Sequence, residues 1–304
     1  MINKLQMNPS NFESAFIFYS DNPIVFQPIN LNSINIENKD DLQSHNIYII
    51  TRSNRTWFSP ENALLDIDAG VSKIDIAIQN GFRTILQEIH SSIPKDAHSI
   101  KFSPFPYKEV FILDRGSNIL RVMNASKLAI ALPDEIRPTF EVLYVGKSFG
   151  RKNQLNVSDR LYRQNHKKFK QILIDTQADH PDKEIFIFSF NYAHSKNNVL
   201  MNSKGPLELG EKEFRRFNYL KSLSIDRREK VSIIEEALIN YFVPPYNELC
   251  RESLTKLSTK AIQYFQGLDI SGLIVELSLN ETGIKLSKSH SKIDSSDTIR
   301  YIRK

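Results

Sequence analysis

The sequence predicts an α+β protein, and three observations carry that expectation. Residues 184–192 (EIFIFSFNY) alternate Ile185, Ile187 and Ser189 with Phe186, Phe188 and Phe190. Both faces of such a strand are nearly apolar, so it belongs inside a covered sheet. Asp226-x-x-Glu229 has the form of a capping box, opening a helix with Val231, Ile234, Leu238 and Tyr241 on one stripe before Pro244-Pro245 stops it. Residues 273–279 and 284–287, joined by Asn280-Glu281-Thr282-Gly283, read as a β-hairpin.

The remaining elements follow in order. Residues 16–19, 47–50 and 110–113 are short apolar runs that predict strands. Ser59-Pro60-Glu61 offers an N-cap, a proline at the first helical position and an acid in the first turn, which predicts a helix through Leu64 and Leu65. Ile74, Ile78, Phe82, Ile85, Leu86 and Ile89 follow helical spacing, interrupted by Gly81. Residues 128–132 (LAIAL) and 140–145 (FEVLYV) predict two further strands. Ser158 can cap a helix that turns Leu161, Phe169, Ile172 and Leu173 inward and ends at His180-Pro181. The stretch 287–297, rich in Ser, Lys and Asp, reads as mobile. The expected division is a mixed α/β domain over 1–120, a second domain over 121–250 and an extension over 251–304.

Composition excludes several classes. The chain has 304 residues, 40% of them apolar and a quarter charged, which is a globular balance. No apolar run approaches the roughly 20 residues of a bilayer span, and the first residues lack the apolar stretch of a secretory signal. No membrane association and a cytoplasmic location are therefore expected. Cys250 stands alone, which removes internal disulfides and zinc ribbons. The seven histidines supply no pair at ligand spacing on one helix, and no Gly-x-Ser-x-Gly elbow occurs. Gly146-Lys147-Ser148 invites a phosphate-loop reading, but Glu141 occupies the position that needs the first glycine.

The net charge is +5 and the isoelectric point about 9.0. The positive charge is concentrated. Lys147, Arg151, Lys152, Arg160, Arg163, Lys167, Lys168 and Lys170 are opposed only by Asp159 within their stretch, and Arg215, Arg216, Lys221, Arg227, Arg228 and Lys230 form a second cluster. Such clusters suit either a phosphate backbone or a solvated helix face.

Two segments carry a family resemblance. Leu143-Tyr144-Val145-Gly146-Lys147-Ser148, followed by Asp159-Arg160-Leu161 and His166, resembles the second half of the GIY-YIG nuclease signature and its following helix. Residues 234–247 (IEEALINYFVPPYN) are similar to that family's glutamate helix and its closing Pro-x-Tyr-Asn. The family's acid stands four residues before the end of the Leu-Ile pair, nine before the proline and twelve before the asparagine. Counted back from Ile239, Pro244 and Asn247, all three spacings select Glu235 rather than Glu236. The resemblance covers roughly residues 125–250 and implies a small antiparallel sheet flanked by helices.

It also implies an activity: metal-dependent DNA endonuclease, in a family used in restriction, phage defence, repair and mobile-element homing. Under that resemblance Glu235 holds a single Mg²⁺ or Mn²⁺, and Arg160 faces the non-bridging phosphate oxygens. Tyr144, with Lys147 beside it, takes the proton from water, His166 orients or relays it, and Asn247 binds a phosphate or the acid. Arg151, Lys152, Arg163, Lys167 and Lys168 would contact the DNA. The sequence departs from the pattern in two places. The Gly-x-Tyr of the first half would lie near 128–132, where neither residue occurs, leaving Tyr162 and Tyr192 as substitutes. His166 follows Arg160 by six residues instead of four, so Arg163 competes for the arginine role. The alternative from another class is a non-catalytic nucleic-acid-binding module, or a scaffold subunit with a protein partner docked through 1–120.

Overall fold

The computed structural model of the chain describes residues 12–31, 42, 44–148, 157–162, 166–192, 194–201, 211–222, 225–247, 272–279, 282–288 and 297–302. It is mixed α+β and mostly sheet. In chain order the strands are β1 (Phe12–Tyr19), β2 (Ile24–Phe26), β3 (Ile47–Asn54), β4 (Thr56–Asp66), β5 (Val71–Asn80), β6 (Arg83–Ser92), β7 (Ser99–Phe102), β8 (Glu109–Leu113), β9 (Ile119–Asn124), β10 (Phe140–Lys147), β11 (Lys183–Phe190), β12 (His194–Met201), β13 (Gly272–Leu277), β14 (Leu286–Ser287) and β15 (Asp297–Ile302). The helices are α1 (Ala125–Ala129), α2 (Val157–Tyr162), α3 (Lys167–Asp179), α4 (Glu211–Ser222) and α5 (Arg227–Phe242). Among the described residues no helix is long and apolar enough to cross a membrane.

The sheet that positions the site has the order β14-β10-β3-β11-β2. β3 lies at its middle, antiparallel to β10 on one side and to β11 on the other. β11 is paired on both sides, as its two apolar faces require. One face packs Ile47, Ile49, Val142, Val145, Phe186 and Phe188 against α5. The other packs Tyr48, Ile50, Leu143, Ile185 and Ile187 against Leu161 of α2 and Phe169 and Ile172 of α3. A second sheet, β12-β1-β13-β15, contributes Phe18, Leu273, Val275 and Leu277 to the same core as α5. α5 therefore packs on both sheets and buries residues on most sides, from Val231 through Ile233, Ile234, Ala237, Leu238 and Ile239 to Phe242. The Asp226 side chain caps it by accepting from the Arg228 amide, and Val243 ends it in the left-handed conformation before the two prolines.

This sheet does not respect the expected divisions at 120 and 250. Its strands come from 24–54, 140–190 and 286–287, so all three expected segments share one hydrogen-bonded layer. What stands apart is the chain between β3 and β10. It forms two three-stranded antiparallel sheets, β4-β5-β6 and β7-β8-β9, around a core of their own that includes Phe58, Ile74, Ile76, Ile78, Val110 and Ile112.

Four local expectations are corrected. Ser59-Pro60 opens no helix: both lie within β4, where pairing to β5 is interrupted between Ser59 and Leu64 and a proline is tolerated. Ile74 to Ile89 form the β5–β6 hairpin, because a spacing of four is also two strand repeats, and Gly81 (φ +61°) supplies the turn. Residues 128–132 are not a strand, since the Asn124 side chain accepts from the Lys127 amide and caps α1. The C-terminal hairpin does not form: β13 pairs with β1 and β15, whereas β14 joins β10. Residues 289–296 of the stretch read as mobile lie outside the described residues.

Glu184, at the start of β11, ties the inserted sheets to the main one. Its Oε2 meets Lys108 Nζ at 2.6 Å and Gln27 Nε2 at 3.0 Å, while Oε1 accepts from the Thr56 amide at 3.3 Å and from Ser126 Oγ at 3.3 Å. Removing a carboxylate that satisfies a largely shielded ammonium costs about 2 kcal/mol. Glu184→Ala should therefore lower the unfolding free energy in urea by about that amount, with faster amide exchange in 56–124. A loss under about 0.5 kcal/mol, the scatter of neutral surface changes, would remove Glu184 from this role.

Candidate functional site

The site forms where β3 begins and β10 ends. Antiparallel pairing sets Tyr48 opposite Gly146. An irregularity between Val142 and Tyr144 places both Leu143 and Tyr144 on the helix α2–α3 face. Without that extra residue the strict alternation of a strand would send Tyr144 to the α5 side. A Cβ on Gly146 would lie 2.5 Å from Tyr48 Cζ and 2.7 Å from Tyr144 Cε1. Glycine is needed there because the two tyrosine rings occupy the volume of a side chain.

Tyr48 and Tyr144 have ring centroids 6.1 Å apart, and His166 lies 5.5 Å from Tyr144 by the same measure. His166 caps α3: its Nδ1 accepts from the Phe169 amide at 3.0 Å. An amide can only donate, so Nδ1 is unprotonated and the ring proton sits on Nε2. Nε2 is 3.0 Å from Tyr48 Oη and therefore donates to it. Burial, followed by the Arg160 charge, lowers the His166 pKa below its ordinary value, which agrees with a neutral ring. Burial, followed by Tyr144, holds the Tyr48 hydroxyl well above the usual tyrosine range; the Arg160 guanidinium acts in the opposite direction and Glu235 adds a smaller upward push. These groups share one electrostatic neighbourhood.

Lys147, one step beyond Gly146, turns to the α5 side. Its ammonium is 2.7 Å from Glu235 Oε2 and donates to Ser232 Oγ at 3.1 Å. Glu235, not Glu236, is the acid engaged with the end of β10, and its side chain is 19% exposed. Arg160, on α2, has a buried Nε without a hydrogen-bond partner among the described residues. Among the described residues no cluster of three or more His, Cys, Asp or Glu side chains could hold a metal. The Glu235 carboxylate is paired with Lys147, so a Mg²⁺ ion, which takes one or two carboxylates and keeps several waters, would share it with that ammonium.

Asn247 bonds to the backbone of β10. Its Nδ2 donates to the Val145 carbonyl and its Oδ1 accepts from the Val145 amide, both at 2.9 Å, while the Tyr246 amide donates to the Leu143 carbonyl at 3.1 Å. The segment after α5 thus runs along the outer edge of β10 and satisfies its backbone. Each amide atom of Asn247 makes one bond to Val145, and the side chain thereby holds the end of β10 in place.

Of the basic residues, Lys167 is exposed and Lys168 half-buried in the first turn of α3, which carries no acid. Arg151, Lys152 and Arg163 lie outside the described residues, as does the side chain of Tyr162. Tyr192 is buried in the core with α5 and belongs to the opposite side of the sheet.

Sequence reasoning missed Tyr48. Asn46-Ile47-Tyr48 lies upstream of 128–132, on the far side of the sheets of 56–124. Asn46 is accommodated: its carbonyl accepts from the Ser148 amide at 2.8 Å, and its Oδ1 from Arg227 Nη2 at 3.0 Å. The detectable signal was the apolar run 47–50 already read as a strand. No family model, no curated protein and no solved structure matches the chain.

Two outcomes follow from this geometry. Gly146→Ala should cost about 1–3 kcal/mol, the usual range for overpacking, because Tyr48 has no room to retreat. Urea unfolding measures it, and an unchanged midpoint would contradict the crowding. The second concerns pH. The His166 pKa is depressed in the fold, so the unfolded chain takes up the proton first, and stability falls as pH drops below about 6.5. His166→Asn keeps a capping side chain but cannot titrate. Its melting temperature should lose less between pH 7 and pH 5 than that of the parent, and equal losses would refute the linkage.

Proposed function

We propose that the chain is a metal-dependent DNA endonuclease of GIY-YIG-like construction, hydrolysing phosphodiester bonds. The observation that carries the reading is the pairing of Tyr48 with Tyr144 over Gly146, with His166, Arg160 and the Lys147–Glu235 pair around them. It supplies the second tyrosine that residues 128–132 lack. In this reading the order of sheet, basic helices and acidic helix follows that family's plan, with the sheets of 56–124 inserted inside the signature.

Tyr144 takes the proton from the attacking water. Tyr48, whose oxygen accepts from His166, holds that water in line and shares the load. The Arg160 guanidinium receives the non-bridging oxygens of the phosphate through its terminal nitrogens and offsets negative charge beside it. Lys147 keeps the Glu235 carboxylate at the edge of the cleft. A Mg²⁺ or Mn²⁺ bound by Glu235 would supply Lewis-acid stabilisation of the leaving oxygen. Lys167 and Lys168 stand at the positive end of the α3 dipole without a compensating acid, an arrangement that favours a bound anion. The same residues favour a non-catalytic nucleic-acid-binding module only if both tyrosines prove dispensable.

Supercoiled plasmid distinguishes the two. Nicking with Mg²⁺ and none with EDTA is expected. Tyr48→Phe and Tyr144→Phe should each reduce the rate by about 10²–10⁴-fold, the range of general-base contributions, with the fold retained. Glu235→Gln should be inactive and Glu236→Gln active. Gel retardation without nicking under every metal would instead establish the binding module.

For binding itself, affinity should fall steeply with salt. Lys167→Glu with Lys168→Glu should flatten the slope of log K against log salt by about 2. An unchanged slope returns those lysines to the solvated surface.

A further inference from the structure

At the far end of β3 and β11 from the tyrosine pair, a cavity of about 840 Å³ opens between the inserted sheets and the main sheet. Trp57, Phe82, Phe105 and Pro106 line it together with Arg55 and Asp182. Phe82, in the β5–β6 turn, is fully exposed, and Phe105 is 82% exposed. Leaving two phenylalanine rings in water forgoes a large share of the burial they offer, and here both rings border one hollow. The rim is polar. Arg55 Nε donates to the Lys183 carbonyl at 3.0 Å, which fixes the guanidinium while its terminal nitrogens have no hydrogen bond among the described residues. Asp182 Oδ2 accepts from the Gly81 amide at 3.1 Å and lies 3.5 Å from Lys183 Nζ, so its charge is already answered.

We propose that this cavity receives an unpaired nucleobase, stacked between Trp57 and the two phenylalanines, with Arg55 on the adjoining phosphate. The inference rests on the nucleic-acid reading above and names its substrate class: nucleic acid with unstacked bases, such as a single strand, bulge or junction, in preference to plain duplex. Aromatic faces open to solvent accept any base, and a fixed guanidinium beside them matches the phosphate that accompanies it. A protein segment could use the aromatic surface. The guanidinium favours the nucleotide, because Arg55 is fixed through Nε on the Lys183 carbonyl and can offer its terminal nitrogens to a phosphate.

Trp57 is the single tryptophan of the chain, so its emission reports on the cavity directly. The full chain in EDTA is titrated with a single-stranded oligonucleotide and with a strand of equal length built of abasic sites. Saturable quenching by the first is expected, with binding of the abasic strand at least about tenfold weaker. Phe82→Ala and Phe105→Ala remove exposed side chains and should shrink that preference, whereas Lys167→Glu should weaken both strands alike. If anisotropy shows the oligonucleotide bound while Trp57 emission stays constant, or if both phenylalanine variants keep the full preference, the proposal is overturned and a protein segment becomes the occupant. Plasmid nicking without a Trp57 response overturns this assignment alone. A Trp57 response without nicking upholds it and removes only the nuclease reading.

Discussion

Everything at the candidate site depends on one missing methyl group. Gly146 stands opposite Tyr48 across the β3–β10 ladder, and the space its side chain would fill holds the two tyrosine rings. The irregularity after Val142 then decides which face Tyr144 joins. The Asn247 amide clamps the outer edge of β10 at Val145, so the strand is held from both sides beside the tyrosine pair. A strand end would ordinarily fray; here Tyr246 and Asn247 replace the absent neighbour strand.

Helix α5 explains why core and site are inseparable. A helix apolar on most sides must be enclosed, and the two sheets enclose it. That fixes its rotation, and the rotation in turn fixes Glu235 at the edge beside Lys147, whereas the adjacent Glu236 lies about 100° further round. The carboxylate therefore needs no loop to place it, because core packing on either side has already set its position.

The parts of this architecture that were legible in sequence are those governed by local chemistry. The strand 183–190 announced its burial through two apolar faces, and α5 announced its ends through Asp226 and the paired prolines. Errors arose where one pattern serves two structures. Ile74 and Ile78 satisfy both a helix and a strand, and the intervening Ile76, equally buried, is what separates them. Asn247 was recognised, but its bonds to a backbone 102 residues away are invisible to sequence. Tyr48 was invisible to any local window: its hydrogen bond to His166 spans 118 residues and exists only through strand pairing.

That pairing also shows why so large an insertion is tolerated inside the site. β3 and β10 need only be adjacent, and the chain joining them can be a short turn or a folded unit. Lengthening a flexible connection costs only about 0.6 kcal/mol per doubling. A connection with its own core, in Phe58, Ile74, Ile76, Val110 and Ile112, returns its ends to a fixed separation and avoids most of even that cost. The Glu184 contacts to Lys108, Thr56 and Ser126 then restrain the unit against the start of β11. Strain from the insertion thus enters at the Asn54 end of β3, while Tyr48 lies at the opposite end, separated by a strand paired on both sides. The unit between β3 and β10 can therefore vary without disturbing the geometry around Gly146.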